Sequence, residues 1–362
     1  MKNDIRRSVY NGKKLKIEIF GASHSPEIGV TVKGFDKDTA IDLDNLQNFC
    51  NRRRAKSSSY STTRIEEDKI IIKNGVDGNV LSGKKFKAII KNKKQRSSDY
   101  GDGVILPRPS HADYVASVKY GSDFDHRGGG KFSGRLTAPM CIAGGIAKQI
   151  LSSKGIIVDA FVSSIGKLKF KGYDDIVQES TLKFEDDNFR VIDSIDKTKA
   201  EELILKLKEE GDSVGGTIDC IVKNLPVGVG EYMFDSLESV ISHLIFAVPA
   251  VKGIEFGSGF NISTMTGSIA NDPFYYDGDK IKTKTNNNGG INGGISNGMP
   301  LTLRVAIKPT PSILKPQSTV NLLTGENDVL KIKGRHDACI VPRAVAVIEA
   351  MVCLAIYDLL EI

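Results

Sequence analysis

The sequence predicts an α+β protein in which antiparallel sheets lie against a helical layer. Its strand-like segments fall in pairs and are not each followed by a helix, which argues against a doubly wound parallel sheet. They are rich in β-branched residues, as a pleated, half-buried surface favours. The longer periodic segments between them carry helix start and stop signals.

Taken in order, strands are expected at Leu15–Phe20 and Ile28–Val32, followed by a helix over Asp42–Cys50 that Asp42 or Asp44 can cap. Lys69–Ile72 and Phe86–Ile90 form the next strand pair. Thr137–Leu151 is rich in Ala, Gly and Ile, which predicts a helix packed closely on its neighbours. Thr198–Glu210 opens with Thr198 at capping-box distance from Glu201 and stops at Gly211, a favoured residue just past a helix end. Thr217–Val222 is a strand, Asp235–Val248 a helix ended by Pro249, and Leu301–Ile307 a strand. The last apolar run, Val341–Leu360, is interrupted by Arg343, Glu349 and Asp358, so it reads as a core helix and not a membrane span. No linker divides the chain, and residues 1–362 are expected to form a single domain. The order strand pair, helix, strand pair, helix suits a duplicated unit, although no sequence repeat accompanies it.

Composition excludes several function classes. With 50 Lys plus Arg against 44 Asp plus Glu, the net charge is only +6, which suits a small anionic ligand. Tryptophan is absent and aromatics are 7% of residues, a poor basis for a base-stacking nucleic-acid surface. Cys50, Cys141, Cys220, Cys339 and Cys353 are scattered and form no CxxC pair, so buried thiols in a reducing cytoplasm are expected, without a disulfide framework or zinc site. The polar N-terminus lacks the apolar stretch of a secretory signal.

Chemistry concentrates in loops. His24 lies in GASHSPEIG, His111 in RPSHADY and His336 in GRHD, each among turn-formers and polar groups where a histidine can exchange a proton with a ligand. His243 falls inside a helix and reads as a packing or surface residue. Arginines accompany the same loops: Arg53 among three successive arginines, Arg108, Arg127 and Arg135 around Gly128–Gly130, and Arg335 beside His336. Guanidinium groups beside glycine-rich backbone suit phosphate and carboxylate. Asn286–Gly298 (NNNGGINGGISNG) reads either as a backbone wall for such a ligand or as a flexible surface loop. There is no GxGxxG, no P-loop and no HExxH. His111 and Asp113 could supply two metal ligands, but no third stands at suitable spacing, so no metal site is expected.

GASHSPEIGVTVKGF, RPSHADYVASVKYG, HRGGGKFSGRLTA, GDSVGG, VPAVKGIEFGSGF, NNNGGINGGISNGMP, VAIKPTPSI and GRHDACIVPRAV together resemble, in order, the motifs of the chorismate synthase family, from about Gly21 to Leu360. The resemblance implies a β-α-β sandwich, with antiparallel sheets flanking a helical layer, and a homotetramer. It implies a lyase that removes phosphate from 5-enolpyruvylshikimate 3-phosphate by anti-1,4-elimination, requiring reduced FMN without net redox change. By position it implies His24 as acid towards the leaving phosphate, His111 beside the flavin, and Asp337 in removal of the C6 proton. Ser23, Arg53, Arg108, Arg135 and Arg335 match the anion shell of the substrate. Lys131, Phe132, Ser133, Pro249, Ala250, Gly293, Lys308, Pro309, Thr310, Pro311, Ser312 and Arg335 match positions around FMN. No reductase domain is evident, so an external flavin reductase is expected, and NADPH enters only if reduction is intrinsic. Ala22, Ser25, Ser59, Lys131, Phe132, Gly134 and Leu136 depart from the usual family residues; Lys56 or Arg64 could replace an arginine often found at Ser59. The competing readings are a phosphate-ligand transferase and a non-catalytic flavin-binding protein.

Overall fold

The first sheet grows from a hairpin of β1 (Ser8–Asn11) and β2 (Lys16–Phe20), extended by β3 (Glu27–Lys33). It is completed by β4 (Ile71–Asn74) and β5 (Phe86–Lys91), in the order β1-β2-β3-β5-β4. The second sheet contains β6 (Ile157–Ile165), β7 (Leu168–Lys169), β8 (Gly216–Lys223), β9 (Val251–Phe256) and β10 (Leu301–Ile307), in the order β9-β10-β8-β6-β7. All neighbouring strands in both sheets are antiparallel. The structure is a computed structural model and describes residues 8–55, 66–93, 104–176, 182–332 and 337–360.

Between the sheets lie α1 (Leu43–Arg53), α3 (Thr137–Ser153) and α6 (Val341–Leu359). Helix α2 (Asp113–Tyr120) follows the His111 loop, α4 (Ser194–Glu209) precedes β8, and α5 (Leu237–Phe246) packs on α6 and β9. Helix α3 meets β3 on one side and α6 on the other, while α6 meets β6 and β8. The expected sandwich is therefore the one observed. Small residues let the two central helices approach: a Cβ on Gly144 would stand 2.4 Å from that of Ala350.

Local signals placed most elements within a few residues. Asp42 does cap α1, its side chain accepting from Asn45 N at 2.9 Å. Lys69–Ile72 is shifted to Ile71–Asn74. The capping box at Thr198 is not used: α4 starts earlier, with the Asp193 side chain accepting from Ile195 N at 2.9 Å. The sequence signals do not mark strands β1, β6, β7 and β9 or helix α2. In β6 the run IVDAFVSSI is buried along most of its length, so it lacks the alternation that marks a half-exposed strand.

The charges interrupting the C-terminal apolar run are all engaged. Asp358 accepts from Tyr10 Oη at 2.7 Å and Leu15 N at 2.6 Å, anchoring the β1–β2 turn. Glu349 is fully buried and meets Arg52 in a bidentate pair at 2.8 and 3.0 Å, Lys148 at 2.7 Å and Arg190 at 3.4 Å. Burial pushes its carboxyl up, but Arg52 and Lys148 outweigh that and hold it well below the usual carboxylate range. Among the described residues, no helix is long and apolar enough to cross a membrane. All five cysteines are free and buried.

Candidate functional site

Strand β2 ends in the loop that carries Ser23 and His24, both buried. Ser25 closes this turn, donating from Oγ to Glu27 O at 2.6 Å and accepting from Ala22 N at 2.8 Å. A serine hydroxyl thus organises the turn at the departure from the usual motif. His24 Nδ1 lies 3.0 Å from Arg127 O. A carbonyl can only accept, so Nδ1 carries a proton and proton exchange falls to Nε2.

Against this loop lies the glycine triplet, with φ of +59°, +84° and +54° at Gly128, Gly129 and Gly130. Its glycines are required by contact as well as by backbone. A Cβ on Gly128 would stand 2.5 Å from His24 Cε1 and from Ser23 Oγ, and one on Gly129 would stand 3.3 Å from His111 Nε2. Both histidines therefore press on one glycine turn. Gly128→Ala is expected to displace His24 and lower turnover at least about tenfold, since small misplacements of reacting groups are costly. Unchanged turnover in that variant would show that the turn does not position His24.

His111 belongs to a second constellation. Its Nδ1 is 2.7 Å from Asp113 Oδ1. Arg108 grips the same carboxylate, Nε to Oδ2 at 2.7 Å and Nη2 to Oδ1 at 2.8 Å, and donates from Nη1 to Ser312 Oγ at 3.2 Å. Burial raises the Asp113 carboxyl, but hydrogen bonds from Arg108 and His111 prevail and hold it well below its ordinary value. Asp113, weighed in the sequence only as half of an incomplete metal pair, is thus the partner of His111. Arg108 spends these three donors on protein groups.

A third cluster gathers cations. Asp68 pairs with Arg53 Nη2 at 2.8 Å and with Arg135 Nη1. Arg53 Nη1 also donates to Thr137 Oγ1 at 3.0 Å, and Arg135 Nε to Asn92 Oδ1 at 3.0 Å. Asn92 Nδ2 donates to Ser25 O at 2.7 Å, tying the clamp to the His24 loop. Burial raises Asp68, yet Arg53 and Arg135 hold it below the usual carboxylate value. Asp68 is shared by two guanidinium groups, and the buried Glu66 carboxylate also acts on Arg135. Arg53 Nε, Arg135 Nη2 and Ser23 Oγ are buried without a hydrogen-bond partner among the described residues. Buried polar atoms of this kind call for a ligand or water. Arg343 joins Asp337 to the cluster, bonding the Asp337 carboxylate from Nη1 and Arg53 O from Nε at 3.0 Å. Asp68, Asn92 and Arg343 escaped sequence reasoning, because only the fold sets them beside Arg53.

The positions expected around FMN mostly converge. Lys308 N donates to Ala250 O at 2.9 Å, and Lys308 Nζ to Ser110 O at 2.5 Å. This brings Pro249–Ala250 and Lys308–Ser312 beside the His111 loop. Ala250 has φ of +75°, strain of a kind that gathers at functional sites. Burial, then the neighbouring Lys252, lowers the Lys308 ammonium from its usual value. Two lysines and strained backbone fit the phosphate end of a flavin nucleotide. Lys131 and Phe132 are exposed beside the glycine triplet, and Ser133 Oγ accepts from Arg135 N at 3.3 Å.

Gly293 is not brought to this group. Its loop is tied to the start of β10, where Thr302 N donates to Gly289 O at 3.1 Å, whereas Lys308 follows the strand's end. Seven extended residues separate these ends by roughly 20 Å. Nor is Asn286–Gly298 an open amide wall. A Cβ on Gly289 would stand 2.4 Å from Gly257 N, and the amides of Asn287 and Asn288 already donate to Asp272 at 2.8 and 2.9 Å. Arg335, His336, Lys56, Ser59 and Arg64 lie outside the described residues.

The profile of the chorismate synthase family matches residues 15–360, nearly the whole chain. The chain belongs to the chorismate synthase family. A chorismate synthase of Dehalococcoides mccartyi is 45% identical over 350 residues, covering 96% of this chain and 95% of that protein. One of Korarchaeum cryptofilum is 42% identical over 356 residues, covering 96% of each. A crystal structure of a chorismate synthase shares the fold with a TM-score of 0.74, covering 96% of this chain and 92% of that one at 23% identity. Chorismate synthases are lyases, and the loops that carry the family resemblance are those that bear His24, His111, Gly128–Gly130 and Asp337.

Proposed function

We propose that the protein converts 5-enolpyruvylshikimate 3-phosphate to chorismate and phosphate with reduced FMN bound. The observation that carries this reading is the convergence of two loop histidines on one glycine turn, beside buried guanidinium donors without a hydrogen-bond partner among the described residues. Arg53, Arg135 and Ser23 hold the anionic groups of the substrate. His24 gives a proton from Nε2 to the phosphate as its C3–O bond breaks, which makes the phosphate a better leaving group. The Asp337 carboxylate takes the proton lost from C6, with Arg343 fixing its orientation. Lys308, Ser312, Ala250 and the residues following the glycine triplet would hold FMN, whose reduced ring would supply electron density to the elimination.

The continuous hydrophobic core supports one domain over residues 1–362. Exposed apolar side chains such as Phe234 (90%), Phe260 (82%) and Tyr276 (77%) support burial between copies, in line with a homotetramer. Five buried thiols suit a reducing cytoplasm, where an external reductase supplies the reduced flavin, with NADPH needed here only for intrinsic reduction.

The test is anaerobic turnover with dithionite-reduced FMN, following chorismate absorbance and phosphate release together. Equal release of both, only with reduced flavin, is expected. Folded, FMN-binding protein that yields neither product would end the proposal. Asp337→Asn is expected to lower kcat by about 10²-fold while leaving substrate binding nearly intact, as loss of a positioned base does. A variant that instead fails to bind substrate would place Asp337 among the anion contacts.

A further inference from the structure

We infer that Asp113 is a positioning residue that fixes the tautomer of His111, keeping the proton on Nδ1 and presenting Nε2 to the glycine turn. The inference rests on the reading of His111 as a working residue of the site. Three groups crowd the Asp113 carboxylate, and all are donors. Oδ2 accepts from Arg108 Nε at 2.7 Å and Arg108 N at 3.1 Å. Oδ1 accepts from Arg108 Nη2 at 2.8 Å and faces His111 Nδ1 at 2.7 Å. A guanidinium has no acceptor, and a carboxylate held ionised has no donor. Nδ1 must therefore supply the hydrogen in its contact with Oδ1. The 3.1 Å approach of Arg108 Nη2 to His111 Nδ1 is then the meeting of two donors that share one oxygen. The ring nitrogen bonded by its partner decides which other nitrogen is open to chemistry, and here that is Nε2, the atom nearest Gly129.

The arrangement is built to hold. Asp113 is buried and is the first residue of α2, where the helix N-terminus favours a negative charge. Arg108 bridges it to Ser312, so one carboxylate locks the His111 loop, helix α2 and the Lys308–Ser312 segment together. Arg108 thereby acts through Asp113, in addition to any contact its remaining N–H groups make with an anion.

Asp113→Asn tests this sharply. Oδ2 receives two Arg108 donors that cannot turn acceptor, whereas Oδ1 receives one, Nη2, beside the switchable His111 Nδ1. The amide oxygen is therefore expected at the Oδ2 site and the NH2 at the Oδ1 site, where it displaces Arg108 Nη2 and faces His111 Nδ1. Nδ1 must then accept, and the proton moves to Nε2. In protein with 15N-labelled histidine, at a pH where the ring is neutral, the His111 signals are expected to show Nδ1–H in the wild type and Nε2–H in Asp113→Asn. Turnover of the variant is expected to fall about 10²-fold or more, with KM changed less than about threefold, as when a carboxylate orienting a catalytic histidine is neutralised. In a His111→Ala background the same substitution should change kcat less than about threefold, because its effect passes through the ring. Nε2–H in the wild type, an unchanged tautomer in the variant, or multiplicative losses would overturn the inference. The wild-type spectrum alone decides it if Asp113→Asn does not fold. Full turnover by His111→Ala would remove the role given to His111, while the spectra still judge Asp113.

Discussion

His111→Ala is expected to remain folded and to lose turnover by about 10²- to 10⁴-fold with saturating reduced FMN and substrate, the usual range for a positioned proton-transfer group. The fold survives because the ring lies on a loop and its loss does not strand its partner. Asp113 keeps the bidentate grip of Arg108, so no buried carboxylate is left unpaired. Steady-state rates beside a thermal unfolding curve check both halves of the statement. Near-wild-type rates would refute the assigned role, whereas a large drop in Tm would mean the ring is structural.

Glu349→Gln is expected to destabilise the protein by about 3–5 kcal/mol at neutral pH, the range for breaking a buried ion pair by removing one partner. The amide leaves Arg52, Lys148 and Arg190 converging on a neutral group between α1, α3 and α6. The sign of the pH dependence follows from the depressed carboxyl. The unfolded chain binds the proton more readily, so the Glu349 contribution is fully present above the ordinary glutamate value of about 4.3 and is lost as pH falls towards the folded value. The gap between wild type and variant in denaturant unfolding should therefore be widest between pH 6 and pH 8, on the order of a few kcal/mol, and narrow below about pH 4. A difference under about 1 kcal/mol throughout would show that the cations find other partners.

The two predictions differ in how visible their residues are in the chain. His111 stands out locally, in a proline-bounded loop beside an arginine, and Asp113 lies two residues away. What the local reading could not supply was the helix start at Asp113, which turns that carboxylate back towards both Arg108 and His111. Glu349 gave a different signal. As a charge in an apolar run it argued only against a membrane span, and its partner Arg52 lies 297 positions away. Adjacent arginines of α1 even serve different clusters: Arg52 turns to Glu349 and Arg53 to Asp68.

Alternation and capping residues act over a few positions, so the sequence by itself determined strands such as Leu301–Ile307, an aspartate cap at the start of α1 and the burial of the C-terminal helix. Its ordered loop motifs determined the family and named His24 and His111. Tertiary structure alone decided that Asp68 joins Arg53 to Arg135, that Arg343 orients Asp337, and that Gly293 sits at the far end of β10 from Lys308. The reason is physical. Ion pairs and close glycine contacts depend on distances between segments remote in sequence, and those distances exist only after the sheets have closed on the helical layer.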